Sequence, residues 1–199
     1  GWLFGTLAAA FHLWWIWFLL VPVETVTRIL LNVGVAVLFA YLWGRFGPSW
    51  RLLLLALGCS FLLLVAIIDL RYRRVLNVLL YPAMAATLAL HSLPSQGDVF
   101  AALLGGAVGL LPFLLVALVR PGGIGPGDVK LAFLIGLMVG FPQVVWALSL
   151  GILAGGVVAL ILLLTQRRGL ESRIPYAPFL CFGAVLTLIY GPLPLFLSL

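Results

Sequence analysis

Charged side chains are scarce in this sequence. Only 8% of the 199 residues are Asp, Glu, Lys or Arg, whereas 65% are hydrophobic. A soluble domain of this size usually has about 25% charged residues. Since so few charges cannot cover a surface that faces water, the composition excludes a soluble globular protein and predicts a chain folded in the lipid bilayer.

Cysteine and histidine are also rare, with two residues of each. Cys59 and Cys181 fall in separate apolar segments without a CxxC pair, so we expect small buried thiols and no structural zinc site. His12 and His91 lie far apart in the sequence and are expected to be packing or interface residues. The sequence therefore predicts no metal site and no cofactor.

The charged stretches lack the pattern of a nucleic-acid-binding surface, and the glycine-rich stretch lacks the pattern of a nucleotide-binding loop. The formal net charge is +6, but the basic residues form short clusters between apolar runs rather than a stripe, so no nucleic acid is expected as a partner. The stretch "RPGGIGPGDVKLAFLIG" at 120–136 lacks the GK[ST] ending of a P-loop. It also follows no strand, as a dinucleotide-binding loop would.

Long apolar runs are the main feature that the sequence does have. A membrane-spanning helix needs about 20 apolar residues. Runs and breakers predict an all-α, polytopic membrane helix bundle of about eight transmembrane helices, at 2–21, 27–45, 51–69, 76–92, 98–119, 128–141, 144–165 and 177–197. The first run lacks a basic n-region and is expected to be a span rather than a signal peptide. The short sixth run is expected to be a half-helix or to lean against its neighbours.

The distribution of basic residues predicts the orientation of these spans. If the N-terminus is outside and the spans alternate, the outside connections hold only Arg45 and Arg51. The inside connections then hold Arg28, Arg71, Arg73, Arg74, Arg120, Lys130, Arg167, Arg168 and Arg173. Because basic residues concentrate in cytoplasmic loops, the connections after spans 1, 3, 5 and 7 are expected to face the cytoplasm.

The chain has only five acidic residues. Asp98 is expected to cap the fifth span, while Glu24 and Glu171 are expected to form solvated ion pairs in basic connections. Asp69 ends one apolar run and Asp128 opens another. A charged side chain at membrane depth costs several kcal/mol, so residues in such positions are often functional. Both are predicted at the cytoplasmic side, so they would meet if spans 3 and 6 pack together. The alternative is that each only caps a helix or reaches the interface.

Two carboxylates held close together cannot both ionise easily. One keeps a proton while the other acts as a base, so the pair can activate a water and protonate a leaving group. This is the chemistry of an aspartyl protease and needs no metal.

The glycines before Asp128 have a use in such a site. Gly125 and Gly127 allow a close approach of backbone or of an extended substrate, and Pro126 is expected to stiffen the turn between them. Lys130 is interpreted either as a charge partner or as a lipid-facing anchor.

Four ordered segments resemble the type IV prepilin peptidases. "GIGPGDVKLAFLIGLMVG" at 123–140 is similar to their GxGD signature, and "AIIDLRYRRVLNVLLYP" at 66–82 resembles their first aspartate segment. "RIPYAPFLCFGAV" at 173–185 is similar to their late cytoplasmic loop and final helix, and "RFGPSW" at 45–50 fits the link before the first aspartate helix. The resemblance covers about residues 24 to 198.

The resemblance implies an aspartic-type endopeptidase of the bacterial inner membrane, with its site facing the cytoplasm. Its substrate would be a prepilin or pseudopilin, cleaved between a basic leader and a hydrophobic helix. Asp69 and Asp128 would be the catalytic pair, supported by Gly125, Gly127 and Lys130. Residues 1–23 would then be an N-terminal transmembrane helix, and residues 24–199 a GxGD-type prepilin peptidase membrane domain.

The sequence departs from many members of this family between its first two spans. Many bacterial members carry a cysteine-containing region there, linked to N-methylation, whereas here only "VPVET" joins the two runs. We therefore expect no N-methyltransferase activity and no S-adenosylmethionine binding.

Two other functions remain open at this point. One is an ion- or proton-coupled transporter that uses the same two aspartates. The other is a catalytically idle member of the family that chaperones pilin precursors.

Overall fold

The computed structural model describes residues 25–92, 98–120, 123–165 and 175–191. These residues form seven α-helices and no strand: α1 (Thr25–Phe46), α2 (Trp50–Tyr72), α3 (Asn77–His91), α4 (Val99–Val119), α5 (Pro126–Val139), α6 (Gln143–Leu164) and α7 (Ala177–Tyr190). The predicted all-α class is confirmed. The predicted span 2–21 lies outside the described residues, so the count of eight spans stays a prediction.

Within the described residues, three helices are long and apolar enough to cross a bilayer. They are the stretches Leu52–Tyr72 of α2, Val99–Val119 of α4 and Gln143–Leu162 of α6. Shorter apolar helices are found at Asn32–Phe46, in α3 and in α7. This pattern is that of a membrane helix bundle.

The short helix α5 is the centre of the bundle. Its side chains are buried along most of its 14 residues, and α3, α4, α6 and α7 all contact it. The predicted sixth span at 128–141 therefore leans against its neighbours, and it begins two residues earlier than predicted. Pro126 is the first residue of the helix rather than part of a turn, because its fixed φ suits that position and its missing N–H would have no helical partner.

Glycines bring α4 and α5 into backbone contact. A Cβ atom added at Gly136 would overlap the carbonyl oxygen of Gly105, and one added at Gly105 would overlap the carbonyl oxygen of Gly136. Gly105 belongs to the small-residue stretch "GGAVG" at 105–109, and such residues let helices in lipid approach each other closely. A similar contact joins α6 and α7, where a Cβ at Gly183 would overlap the carbonyl oxygen of Ala147.

Several single-residue predictions are confirmed by this packing. Cys59 and Cys181 are buried free thiols. His91 is buried and hydrogen-bonds through Nε2 to the carbonyl oxygen of Leu137 over 3.0 Å, as a packing residue. Asp98 caps α4, since its Oδ1 accepts the N–H of Phe100 at 2.9 Å.

Candidate active site

Both candidate aspartates lie at one end of the bundle, which we call the aspartate end. It comprises the C-terminal ends of α2 and α4 and the N-terminal ends of α3, α5 and α7. Asp69 lies in the last turn of α2 and is only 5% exposed. Asp128 lies in the first turn of α5 and is half-buried. A nearly buried carboxylate is rare unless it is paired or functional.

Asp69 is held by the N-terminus of a different helix. The backbone N–H of Ala177, the first residue of α7, donates a hydrogen bond to the Asp69 carboxylate. The first N–H groups of a helix have no partner within it and favour negative charge. Among the described residues, the carboxylate oxygen Oδ2 of Asp69 is buried without a hydrogen-bond partner. The Asp69 carboxylate is thus held by one hydrogen bond, and its oxygen Oδ2 is available to contact a further group.

Asp128 is held by the start of its own helix. Its carboxylate accepts the backbone N–H of Gly125, and its own N–H donates to the carbonyl oxygen of Gly125 at 3.0 Å. An acid three residues after the N-cap commonly reaches back to the N-cap N–H in this way. A Cβ at position 125 would lie 3.2 Å from Asp128 Oδ2, so glycine leaves this carboxylate uncrowded.

The helices that carry the two aspartates make little direct contact, and α7 packs against both α2 and α5. The sequence made a meeting of the aspartates conditional on direct packing of their helices, and this condition is met only weakly. Pairing of the two carboxylates stays a prediction. Cys181 of α7 is close enough for the charges of both Asp69 and Asp128 to act on its thiol.

Gly127 brings the aspartate-bearing turn against the link between α2 and α3. A Cβ at position 127 would lie only 2.8 Å from the Cβ of Val75. Any side chain at 127 would push the first turn of α5, and Asp128 with it, away from this link. The second glycine of the motif is thus required by a close approach.

Lys130 reaches α3 rather than the carboxylates. Its ammonium donates hydrogen bonds of 2.9 Å to Asn77 Oδ1 and of 2.9 Å to the Tyr81 hydroxyl, and it lies 5.0 Å from the centre of the Tyr81 ring. Both sequence interpretations, a charge partner or a lipid-facing anchor, missed this role. Lys130 ties the first turns of α5 to the first turns of α3.

Tyr176 lies directly before α7 and is half-buried. Its ring centre is 6.0 Å from that of Phe113 and 6.5 Å from that of Phe179. Burial, and then the negative charge of Asp128, raises the pKa of the Tyr176 phenol. The phenol is therefore neutral at physiological pH and presents a hydroxyl group near Asp128.

Sequence reasoning found the two carboxylates but missed the groups contributed by α7. Ala177 acts through its backbone N–H, which no side-chain motif reveals, and Tyr176 stands outside any pattern of acids or bases. The sequence did contain one signal for Ala177, which is the helix start after "RIPY". The first N–H groups of a helix at membrane depth need hydrogen-bond acceptors, and a nearby carboxylate can provide one.

Two carboxylates are the groups that acid–base chemistry without a metal ion requires. When such a pair shares a proton, one can act as a base while the other acts as an acid. In the part of the chain that the structure describes, no group of three or more His, Cys, Asp or Glu side chains is placed to hold a metal ion.

These features define the class as a helical membrane protein with two aspartates, Asp69 and Asp128, at one end of its helix bundle. The chain belongs to the type IV leader peptidase family, whose model matches residues 56–160, a stretch that holds both Asp69 and Asp128. No solved structure matches the chain.

Three relatives are each named prepilin leader peptidase/N-methyltransferase. The protein from Bacillus subtilis is 33% identical over 159 residues, which cover 78% of this chain and 63% of the relative. The protein from Burkholderia pseudomallei is 31% identical over 152 residues, which cover 73% of this chain and 49% of the relative. The protein from Pseudomonas aeruginosa is 28% identical over 170 residues, which cover 81% of this chain and 58% of the relative. The chain thus spans less than two thirds of the length of each of these three relatives.

Proposed function

We propose that this chain is an aspartyl endopeptidase that removes the leader of type IV prepilins or pseudopilins. The cleavage would take place at the cytoplasmic side of the bacterial inner membrane. The observation that carries the proposal is the position of Asp69 and Asp128 on separate helices at the same end of the bundle, where Asp69 is 5% exposed. Membership of the leader peptidase family supports the same reaction.

The proposed reaction uses the pair without a metal ion. One carboxylate takes a proton from a water, whose oxygen attacks the carbonyl carbon of the scissile peptide bond. The protonated carboxyl group of the other aspartate donates its proton to the leaving nitrogen as the C–N bond breaks. The unpartnered Oδ2 of Asp69 is a natural contact for the water or the shared proton.

The charge distribution supports the cytoplasmic assignment of the site. Arg71, Arg73 and Arg74 immediately follow Asp69, and Arg120 precedes the glycine-rich loop. Basic residues close to span ends favour the cytoplasmic side. The cationic end of the bundle is therefore the end that a cytoplasmic leader would reach.

The test uses the purified protein in detergent with a synthetic prepilin that includes the leader and the apolar helix. Asp69→Asn and Asp128→Asn should each lower kcat/KM by at least about 100-fold, the usual contribution of a general acid or base. Asp98→Asn is the matched control, because it changes an aspartate that only caps α4 and asparagine caps equally well. Its kcat/KM should stay within about twofold of the wild type.

Retained cleavage in either the Asp69 or the Asp128 variant would exclude the paired mechanism. If the wild type cleaves nothing but carries an ion or proton flux that both substitutions abolish, the transporter function is favoured instead. Binding of prepilin without cleavage or flux would favour an idle chaperone.

A further inference from the structure

A lysine-centred bridge joins α3 to α5 beside Asp128. The Lys130 ammonium donates hydrogen bonds of 2.9 Å to Asn77 Oδ1 and of 2.9 Å to the Tyr81 hydroxyl. It also lies 5.0 Å from the centre of the Tyr81 ring, where the face of an aromatic ring attracts a cation. Hydrogen bonds from a charged donor are stronger than those between neutral groups. We call these three side chains the lysine bridge.

Helix geometry explains why the three side chains of the lysine bridge meet. Asn77 is the first residue of α3 and Tyr81 follows four residues later, so both side chains lie on one face of this helix. Lys130 follows Asp128 by two residues in α5, and residues two apart on a helix do not share a face. The start of α5 therefore presents Asp128 on one side and a contact to α3 on another.

The lysine bridge lies where direct helix packing is sparse. The helix that carries Asp69, α2, makes little direct contact with α3 or with α5. The link at 73–76 approaches the start of α5 at Val75, since a Cβ added at Gly127 would lie 2.8 Å from the Cβ of Val75. The lysine bridge adds a second attachment between the start of α5 and the segment that follows Asp69. Both attachments act on the turns of α5 that include or adjoin Asp128.

We propose that the lysine bridge positions Asp128 for cleavage by holding the start of α5 against the start of α3. This inference rests on the proposed function, because Asp128 needs a fixed position only if it takes part in the reaction. Asn77, Tyr81 and Lys130 are then positioning residues, which act through Asp128 and do not touch the reacting atoms. A catalytic group that is displaced by about 1 Å can lose a factor of about 100 in rate.

The first test removes the bridge and measures prepilin cleavage by the purified protein in detergent. Lys130→Met keeps the apolar stem but loses both hydrogen bonds, so kcat should fall about tenfold, part of the loss that a displaced catalytic group can show. KM should stay within about twofold, because a positioning residue does not bind the substrate. Tyr81→Phe keeps the ring and loses one hydrogen bond, so its kcat should fall less, by about threefold.

A tyrosine at the opposite end of the bundle provides the matched control. Tyr190→Phe removes a hydroxyl that hydrogen-bonds to the hydroxyl of Tyr41 over 2.6 Å, and so it also removes a contact between two helices. Because this contact is far from Asp128 along the bundle, kcat in Tyr190→Phe should not change.

Asn77 allows a conservative substitution to be compared with a disruptive one. Asn77→Asp keeps an oxygen that can accept from Lys130, and an acid is favourable in the first turn of a helix. Asn77→Leu has a similar size but no acceptor. The value of kcat should fall about threefold in Asn77→Leu and stay near the wild type in Asn77→Asp.

Combined variants show whether the three residues act as one unit. Once Lys130→Met has removed both hydrogen bonds, the addition of Tyr81→Phe or Asn77→Leu should cause no further fall in kcat. Non-additive effects of this kind are expected of side chains that share one interaction. Effects that multiply would mean that the residues act separately, and would contradict the bridge.

A second measurement follows the position of α5 without any cleavage. Val75→Cys and Gly127→Cys are combined, and the rate at which the two thiols form a disulfide under mild oxidation is measured. The Cβ separation at this contact would be 2.8 Å, so a small shift brings it to the roughly 3.8 Å of a disulfide. Adding Lys130→Met should slow this reaction severalfold, because the start of α5 leaves the link more often. Adding Tyr190→Phe should not slow it.

The outcomes separate the two proposals. If the wild type cleaves prepilin and Lys130→Met keeps the wild-type kcat, or loses activity through KM alone, the positioning role is wrong. The same conclusion follows if Lys130→Met lowers kcat without slowing the disulfide. If Lys130→Met does not fold, Tyr81→Phe and the two Asn77 variants decide by the same criteria.

A wild type that cleaves nothing also gives a clear result. If Lys130→Met then still slows the disulfide, the lysine bridge holds the start of α5 and the peptidase proposal alone fails. If the disulfide forms at the same rate with and without Lys130→Met, both proposals fail.

Discussion

At the scale of single residues, each carboxylate of the site is oriented by a backbone N–H group. Ala177 supplies the donor to Asp69, and Gly125 supplies the donor to Asp128. Backbone donors do not titrate and cannot rotate away, so they fix the carboxylates without adding a competing charge.

Gly127 offers a direct test of how tightly Asp128 is positioned. In Gly127→Ala the new methyl group would lie 2.8 Å from Val75 Cβ, so the first turn of α5 must shift. We expect kcat/KM for prepilin cleavage to fall by about 100-fold, the loss that a displacement near 1 Å produces in a catalytic group. The measurement is steady-state cleavage in detergent.

A second substitution at Val75 distinguishes a steric cause of the lost activity in Gly127→Ala from a general loss of structure. Val75→Gly removes the atom that the added methyl group would meet, whereas Val75→Ala keeps it. The double variant with Val75→Gly should recover most of the activity, and the one with Val75→Ala should recover little. Equal recovery in the two double variants would contradict the steric explanation.

The sequence points to Asp69 and Asp128 as candidates, but it does not reveal which groups contact the side chains of the aspartate end. Asp69 and Asp128 were singled out because a charge beside an apolar run is costly. The partners of Lys130 are Asn77 and Tyr81, more than 45 positions away in the sequence. They depend on α3 packing against α5, which local sequence patterns do not specify.

At the scale of elements, the α4–α5 pair is the tightest contact of the bundle. Gly105 and Gly136 let the two backbones touch. This pair carries Asp128 at the start of α5. Asp69 lies on α2, and α7 contacts both α2 and α5.

Gly136→Ala should separate α4 from α5 and destabilise the fold. Overpacking of a close contact typically costs about 1 to 3 kcal/mol. Gly156→Ala is the matched control, because its methyl group meets nothing within 4 Å. This control should be neutral or should stabilise the protein by up to about 1 kcal/mol, as expected for alanine in a helix. Reversible unfolding in mixed micelles measures the free energy of unfolding of each variant. Equal free energies for Gly136→Ala and Gly156→Ala would contradict the close contact between α4 and α5.

Helix positions were largely predictable, whereas helix neighbours were not. Apolar runs and breakers placed the ends of α2 to α6 within three residues, with the largest difference at Tyr72 and differences of one residue at Val99 and Gln143. Such runs reflect local hydrophobicity, which the sequence carries directly. The insertion of α7 between the aspartate helices follows from shape, through contacts such as that of Gly183 with Ala147, and shape is a property of the packed bundle.

At the scale of the whole molecule, the end of the bundle that holds Asp69 and Asp128 is the more cationic one. Arg71, Arg73, Arg74 and Arg120 lie at the aspartate end, while Arg45 and Arg51 lie at the opposite end. The sequence-based orientation puts the cationic end in the cytoplasm, and this orientation stays a prediction.

Labelling of single cysteines in intact cells tests this orientation. Arg74→Cys places an exposed thiol at the aspartate end, and Ser92→Cys places one at the opposite end. An impermeant maleimide should label Ser92→Cys in intact cells and Arg74→Cys only after permeabilisation. Native Cys59 and Cys181 are buried and should stay unlabelled, which provides the background. Labelling of Arg74→Cys in intact cells would reverse the orientation.

The place of α7 has a consequence for biosynthesis. The proposed site uses groups from positions 69, 128 and 177, and the last of these joins the others only when α7 has entered the bundle. A nascent chain that has inserted α2 and α5 but not α7 holds both aspartates without the amide that donates to Asp69. Under the proposed function, we therefore expect hydrolytic activity to arise late in membrane insertion.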